Sequence, residues 1–131
     1  MEAIKRILIL GEEPCYSHSL SRHLKREGFF LSMAGKLFEA STLMQQGQKR
    51  GEEFHCIIID IAKDGGDGLE TLQWLKQNYP EMPAIVIYGF GAGDAVRASM
   101  SSSRDECCQK PLTPQTLMQL LQRVEEKQRE N

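Results

Sequence analysis

Short apolar runs alternate along this chain with longer stretches whose apolar residues recur every three to four positions. Ile4–Leu10 (IKRILIL) predicts a strand. Pro14–Glu27 predicts a helix, with Pro14 in its first turn, Gly28 as its stop, and Tyr16, Leu20 and Leu24 on one face. Phe29–Ala34 predicts a second strand. Leu37–Gln46 predicts a weaker helix with Leu37, Ala40, Leu43 and Met44 on one face, and the polar stretch Gly47–Glu53, with two glycines, predicts a loop. Phe54–Asp60 and Ala84–Tyr88 are apolar at successive positions, as in parallel strands covered on both faces. Leu69–Tyr79 predicts a helix ending before Pro80, Asp94–Met100 a short poor one, and Glu106–Gln109 a short strand. Thr113–Lys127 is the clearest helix, with Thr113 as N-cap, Pro114 at the first position, and Leu117, Leu120, Leu121 and Val124 on one face.

This is a βα unit repeated five times. It predicts an α/β fold: a doubly wound five-stranded parallel sheet with helices on both faces. With 131 residues the chain fits one domain, expected over residues 1–128, with 129–131 a frayed tail or a truncated linker. A formal net charge of −2 gives no global attraction to nucleic acid or to a membrane surface, and no apolar run reaches the length of a membrane span. The cysteines at 15, 56, 107 and 108 match neither a zinc knuckle nor a redox C-x-x-C motif, and read as small hydrophobes of a reduced, cytoplasmic chain. His18, His23 and His55 form no ligand spacing with a carboxylate or cysteine.

Sheets of this kind bind ligands at the carboxyl ends of their strands. Gly11, Glu12 and Glu13 follow the first strand, Asp60 ends the third, Tyr88-Gly89 ends the fourth, and Lys110-Pro111 follows the fifth. Carboxylates, an aspartate and a lysine converging on one edge suit magnesium and phosphoryl chemistry. Hard oxygens hold the metal, the aspartate attacks phosphorus, and the lysine offsets charge on the transferred group.

In the segments ILILGEEP, IIIDIAKDGGDGLE, PAIVIYG and KPLTPQTL the chain resembles the receiver domains of two-component response regulators, from Ile4 to Val124. The resemblance implies a flavodoxin-like sheet of strand order 2-1-3-4-5 and makes Asp60 the acceptor of a phosphoryl group from a phosphohistidine. Mg²⁺ would be held by Asp60, Glu12 and the main-chain carbonyl of Ala62. Lys110 would pair with the phosphoryl group, and Gly89 would donate its backbone N–H to it. Glu13 and Asp64 stand as further carboxylates, although Asp64, Gly65, Gly66, Asp67 and Gly68 read first as turn formers, with Asp67 as a cap for the third helix. A turn at Pro111, with a cis bond as one option, would aim Lys110 inward. The implied partners are a histidine kinase or phosphotransfer protein, an output domain or protein on the face of the fourth helix, fifth strand and fifth helix, and a second copy as a homodimer. Neither direct nucleic-acid binding nor a membrane is implied. No enzyme is expected beyond self-phosphorylation from a donor and autodephosphorylation.

Three positions depart from that family's pattern. Gly11-Glu12 stands where the family has an acidic pair, so one acid is missing. Tyr88 stands where a serine or threonine hydroxyl moves toward the phosphoryl group; the ring would lie across the pocket or point out. Cys107 stands where an aromatic is expected, which makes the pair look transposed. These departures support the alternative of a pseudo-receiver, an interaction or dimerisation module that works without phosphorylation. A haloacid-dehalogenase-type phosphatase would need an aspartate at Ala62, and a flavodoxin-like flavin binder would need a hydroxyl-rich loop at Gly11-Glu12-Glu13.

Overall fold

A computed structural model describes residues 3–11, 14–61, 66–89, 91–100 and 105–129. Its elements are β1 (Arg6–Gly11), α1 (Pro14–Arg26), β2 (Phe30–Ala34), α2 (Leu37–Arg50), β3 (Cys56–Ile61), α3 (Gly66–Asn78), β4 (Ala84–Tyr88), α4 (Gly93–Ser99), β5 (Glu106–Gln109) and α5 (Pro114–Arg129). The strands form one sheet of order β2-β1-β3-β4-β5, parallel throughout. The fold class expected from the alternating pattern and the strand order implied by the family resemblance are those observed.

Every residue of β3 and of β4 is buried, which explains the apolar runs Cys56–Ile59 and Ala84–Tyr88. Successive side chains feed two separate layers. Ile57, Ile59, Ile61, Ala84 and Val86 pack with Ala40 and Met44 of α2, Leu72 and Leu75 of α3, and Val96 of α4. Cys56, Ile58, Ile85 and Ile87 pack with Leu20 and Leu24 of α1 and with Leu117, Leu120, Leu121 and Val124 of α5. Each fully buried isoleucine contributes roughly 1.5–3 kcal/mol by leaving water.

Several expected boundaries shift, most by one or two residues, and α2, α3 and α5 show the changes at helix ends. The expected loop Gly47–Glu53 begins instead as the last turn of α2. Gly47 is buried inside that helix, where a Cβ would stand 2.7 Å from the carbonyl oxygen of Glu52. This glycine answers a close approach of the returning chain. The helix stop is Gly51, at φ +70°, which the left-handed cap requires. Helix α3 starts at Gly66 rather than Leu69, and the side chain of Asp67 lies outside the described residues. Helix α5 runs to Arg129 rather than ending at Lys127, because its end is docked: the Ile4 N–H donates to Glu125 Oε1 at 2.8 Å, and Lys127 is ion-paired with Glu106. Its start is as expected, with Thr113 Oγ1 accepting the Thr116 N–H at 3.1 Å. Among the described residues, no helix is long and apolar enough to cross a membrane.

Candidate functional site

The parallel register brings together one edge of the sheet. Gly11, Asp60 and Ile87 stand side by side on β1, β3 and β4. Asp60 alternates with Ile59 and Ile61, so its carboxylate turns away from the α2–α4 layer toward the side that holds Ile58 and Ile87. The carboxylate is 1% exposed, and Lys110 Nζ stands 2.5 Å from its Oδ1. A buried carboxylate needs such a partner, because an unpaired charge would stay desolvated.

Lys110 belongs to the turn after β5. Its backbone N–H donates to the Tyr88 carbonyl at 2.8 Å, and its bond to Pro111 is cis. Backbone and side chain of one residue therefore touch the ends of both β4 and β3. Gly89 follows Tyr88 directly and is partly exposed, and its carbonyl accepts the Ala92 N–H at 3.2 Å to begin the turn into α4. Glu12, Glu13, Ala62 and Asp64 lie outside the described residues. Gly11 is described, and it places no side chain beside Asp60.

Tyr88 neither lies across the pocket nor points out. It is 7% exposed and packs into the α2–α4 layer with Ala92 and Val96. The reason is strand parity: Tyr88 shares its side of the sheet with Val86, opposite Ile87. Cys107 packs against the same layer, so the transposed aromatic and small residue share one packing region. Burial pushes the Cys107 thiol above its usual range.

Two clusters were not evident from the motifs. Arg97 of α4 donates from Nη1 to Tyr88 Oη at 3.4 Å and from Nη2 to Asp94 Oδ1 at 2.8 Å. The i, i+3 spacing of Asp94 and Arg97 was a readable signal for half of that cluster. At the opposite edge of the sheet, Lys76 Nζ lies 2.6 Å from Asp105 Oδ1, with the two side chains 7% and 0% exposed. Nothing in the sequence links residues so far apart.

Comparison with known proteins agrees with this geometry. The chain matches the response regulator receiver domain family over residues 7–122. An NtrX-like response regulator of Rickettsia felis is 28% identical over 120 residues, covering 90% of this chain and 24% of that protein. The transcriptional regulatory protein AruR of Pseudomonas aeruginosa is 25% identical over 118 residues, covering 90% of this chain and 48% of AruR. The chain thus spans about a quarter of the first relative's length and about half of the second's. Among solved structures, the receiver domain of NtrX from Brucella abortus superimposes with a TM-score of 0.77 at 22% identity, covering 92% of this chain and 98% of that one. A CheY-like receiver domain protein from Methanospirillum hungatei JF-1 gives a TM-score of 0.75 at 22% identity, covering 98% and 100%. With its sheet order, its strand-end Asp60 and Lys110, and a family match over most of its length, the chain belongs to the response regulator receiver domain family.

Proposed function

We propose that this chain is a phosphoryl-accepting switch of two-component signalling, with Asp60 as the acceptor. The observation that carries the reading is the buried Asp60 carboxylate at the carboxyl edge of the sheet, ion-paired with Lys110. A carboxylate oxygen of Asp60 attacks the phosphorus of a phosphohistidine on a kinase or phosphotransfer protein. The new P–O bond forms as the P–N bond breaks, and the imidazole leaves with the electron pair and takes up a proton. Lys110 shifts its ammonium from the carboxylate to the phosphoryl oxygens, where negative charge gathers. The Gly89 N–H adds a donor at the end of β4.

The donor chemistry fits a hard divalent ion, because Asp60 offers carboxylate oxygen, but Gly11 beside it offers none. Mg²⁺ would be held by Asp60, Glu12 and the Ala62 carbonyl, with Glu13 and Asp64 as further donors, and when bound it offsets charge during transfer. The conformational signal passes to an output domain or partner across α4, β5 and α5, and a second copy could use the same face. No turnover beyond self-phosphorylation and autodephosphorylation is proposed.

The test is incubation of the purified chain with acetyl phosphate and Mg²⁺. Intact mass should rise by one phosphoryl group, and Asp60→Asn should abolish the gain. No adduct at saturating donor would overturn the reading. The pseudo-receiver alternative is favoured by Gly11 and by the burial of Tyr88 in a packing layer. It would win if Asp60→Asn left cellular output intact while changes on the α4–β5–α5 face abolished it.

A further inference from the structure

The sheet ends in two different edges. Edge strand β5 carries Glu106, which is ion-paired with Arg123 and Lys127 of α5. Charge on an edge strand discourages pairing with another chain. Edge strand β2, Phe30–Ala34 (FLSMA), carries no charged residue and no proline. Phe30 on it is 61% exposed and Met33 37%, and Phe38, just beyond it at the start of α2, is 82% exposed. Among the described residues these are the exposed large hydrophobic side chains, and all of them belong to this edge and the helix that follows it.

The backbone of β2 says what fits there. The Phe30 N–H donates to the Lys5 carbonyl at 2.8 Å, and β2 pairs with β1 in parallel from Phe30 to Ala34. Phe30, Ser32 and Ala34 therefore turn their backbone groups to β1, while Leu31 and Met33 turn theirs outward. An antiparallel copy of the same strand, with Ser32 on the two-fold axis, matches this pattern. Leu31 then faces Met33 of the second copy, and Met33 faces its Leu31, so each outward N–H meets an outward carbonyl. Phe30 falls opposite Ala34 of the second copy. The charges match as well. The Arg6 guanidinium lies over the Phe30 ring at 4.9 Å, and its contact to Glu52 is long, at 3.8 Å. At the other end of the strand, Glu39 Oε1 stands 3.9 Å from where a Gly35 Cβ would be. Antiparallel pairing brings the Arg6 end of one copy to the Glu39 end of the other.

We propose that the β2 edge is a docking surface for a second copy of this chain, joined antiparallel through Leu31 and Met33 so that the two sheets become one. Backbone hydrogen bonds supply the attraction, the Phe30 side chain covers the Ala34 end of the other strand, and Arg6 with Glu39 sets the antiparallel direction. This surface lies at the opposite edge of the sheet from β5. It leaves the α4–β5–α5 face open for an output domain or partner. It goes beyond the acceptor reading and needs no phosphoryl donor.

The experiment is sedimentation velocity of the full chain over a concentration series, without phosphoryl donor. The chain should pass from its own mass to twice that mass as concentration rises. Ser32 meets its own copy on the axis, so Ser32→Lys and Ser32→Glu each set like charges face to face. Each should weaken association by about fivefold or more. An equimolar mixture of the Ser32→Lys and Ser32→Glu chains should associate again, because unlike charges then meet on the axis. That recovery also shows that both chains are folded. Phe30→Gln, at an exposed position outside the core, should weaken association too, and Gln109→Lys on the β5 edge should leave it unchanged. A chain that stays monomeric at its highest soluble concentration overturns the proposal. So does a dimer that ignores charge at Ser32, or a mixture that stays apart.

Discussion

The sheet carries a lysine–carboxylate pair at each edge, and the two pairs are built for different ends. At the amino edge, Lys76 and Asp105 lie 2.6 Å apart. Lys76 also donates to the Met82 carbonyl at 2.9 Å, and Asp105 Oδ1 also accepts the Ala84 N–H at 2.9 Å. This is a latch that joins the end of α3 to the starts of β4 and β5. At the carboxyl edge, Lys110 and Asp60 lie equally close, yet the lysine side chain is 19% exposed and Asp60 is flanked on β1 by a glycine. One pair is sealed among backbone partners. The other borders solvent on the side of its lysine.

That contrast can be broken most sharply by stability. Asp105→Ala strands a buried ammonium and an amide, and should cost about 3–5 kcal/mol. Asp60→Asn keeps a polar group and lets Lys110 turn to water, and should cost no more than about 1 kcal/mol. Urea denaturation of both variants decides it, and equal losses would erase the distinction between latch and site.

Cys56 lies near the amino-edge latch, and burial, helped by the charge of Asp105, pushes its thiol up from 9.0 to about 12. The folded chain thus keeps a proton that the unfolded chain releases first. The stability this supplies is whole below pH 9 and drains away as pH rises toward 12. At pH 8 a maleimide should label Cys108 in the folded chain and reach Cys56 only after unfolding. Equal labelling rates would show the amino edge to be open.

Smaller effects sharpen the same comparison. Gly47→Ala drives a methyl against the Glu52 carbonyl and should cost about 1–3 kcal/mol, read as a lower thermal midpoint. His55 Nδ1 accepts the N–H groups of Lys5 and Arg6 at 3.1 and 3.0 Å. His55→Ala should therefore destabilise the amino edge by about 1–2 kcal/mol while leaving phosphoryl uptake unchanged. Thr113→Ala removes the cap of α5 and should cost about 1 kcal/mol, again without changing uptake.

Much of the fold was legible in the sequence because parallel strands buried on both faces leave a one-dimensional mark. Cys56–Ile59 and Ala84–Tyr88 are unbroken apolar runs for that reason, and the boundaries of β4 and β5 came out as observed. Gly47 misled because glycine has two uses that look alike in sequence. It can end a helix, as Gly51 does, or admit a neighbouring backbone, as Gly47 does. Asp60 and Lys110 were legible as strand-end residues, since chemistry in such sheets gathers there.

The sequence by itself determined the alternation of strand and helix, the strand order through the family pattern, and that Asp60 and Lys110 would meet at the carboxyl edge. Periodicity and turn chemistry are local, so they survive in one dimension. Only the tertiary structure decided where Tyr88 turns, that Arg97 reaches its hydroxyl over Gly93, and that Lys76 and Asp105 close the opposite edge. Those contacts join residues whose spacing carries no period, and they depend on which face of the sheet a side chain occupies once the strands are packed.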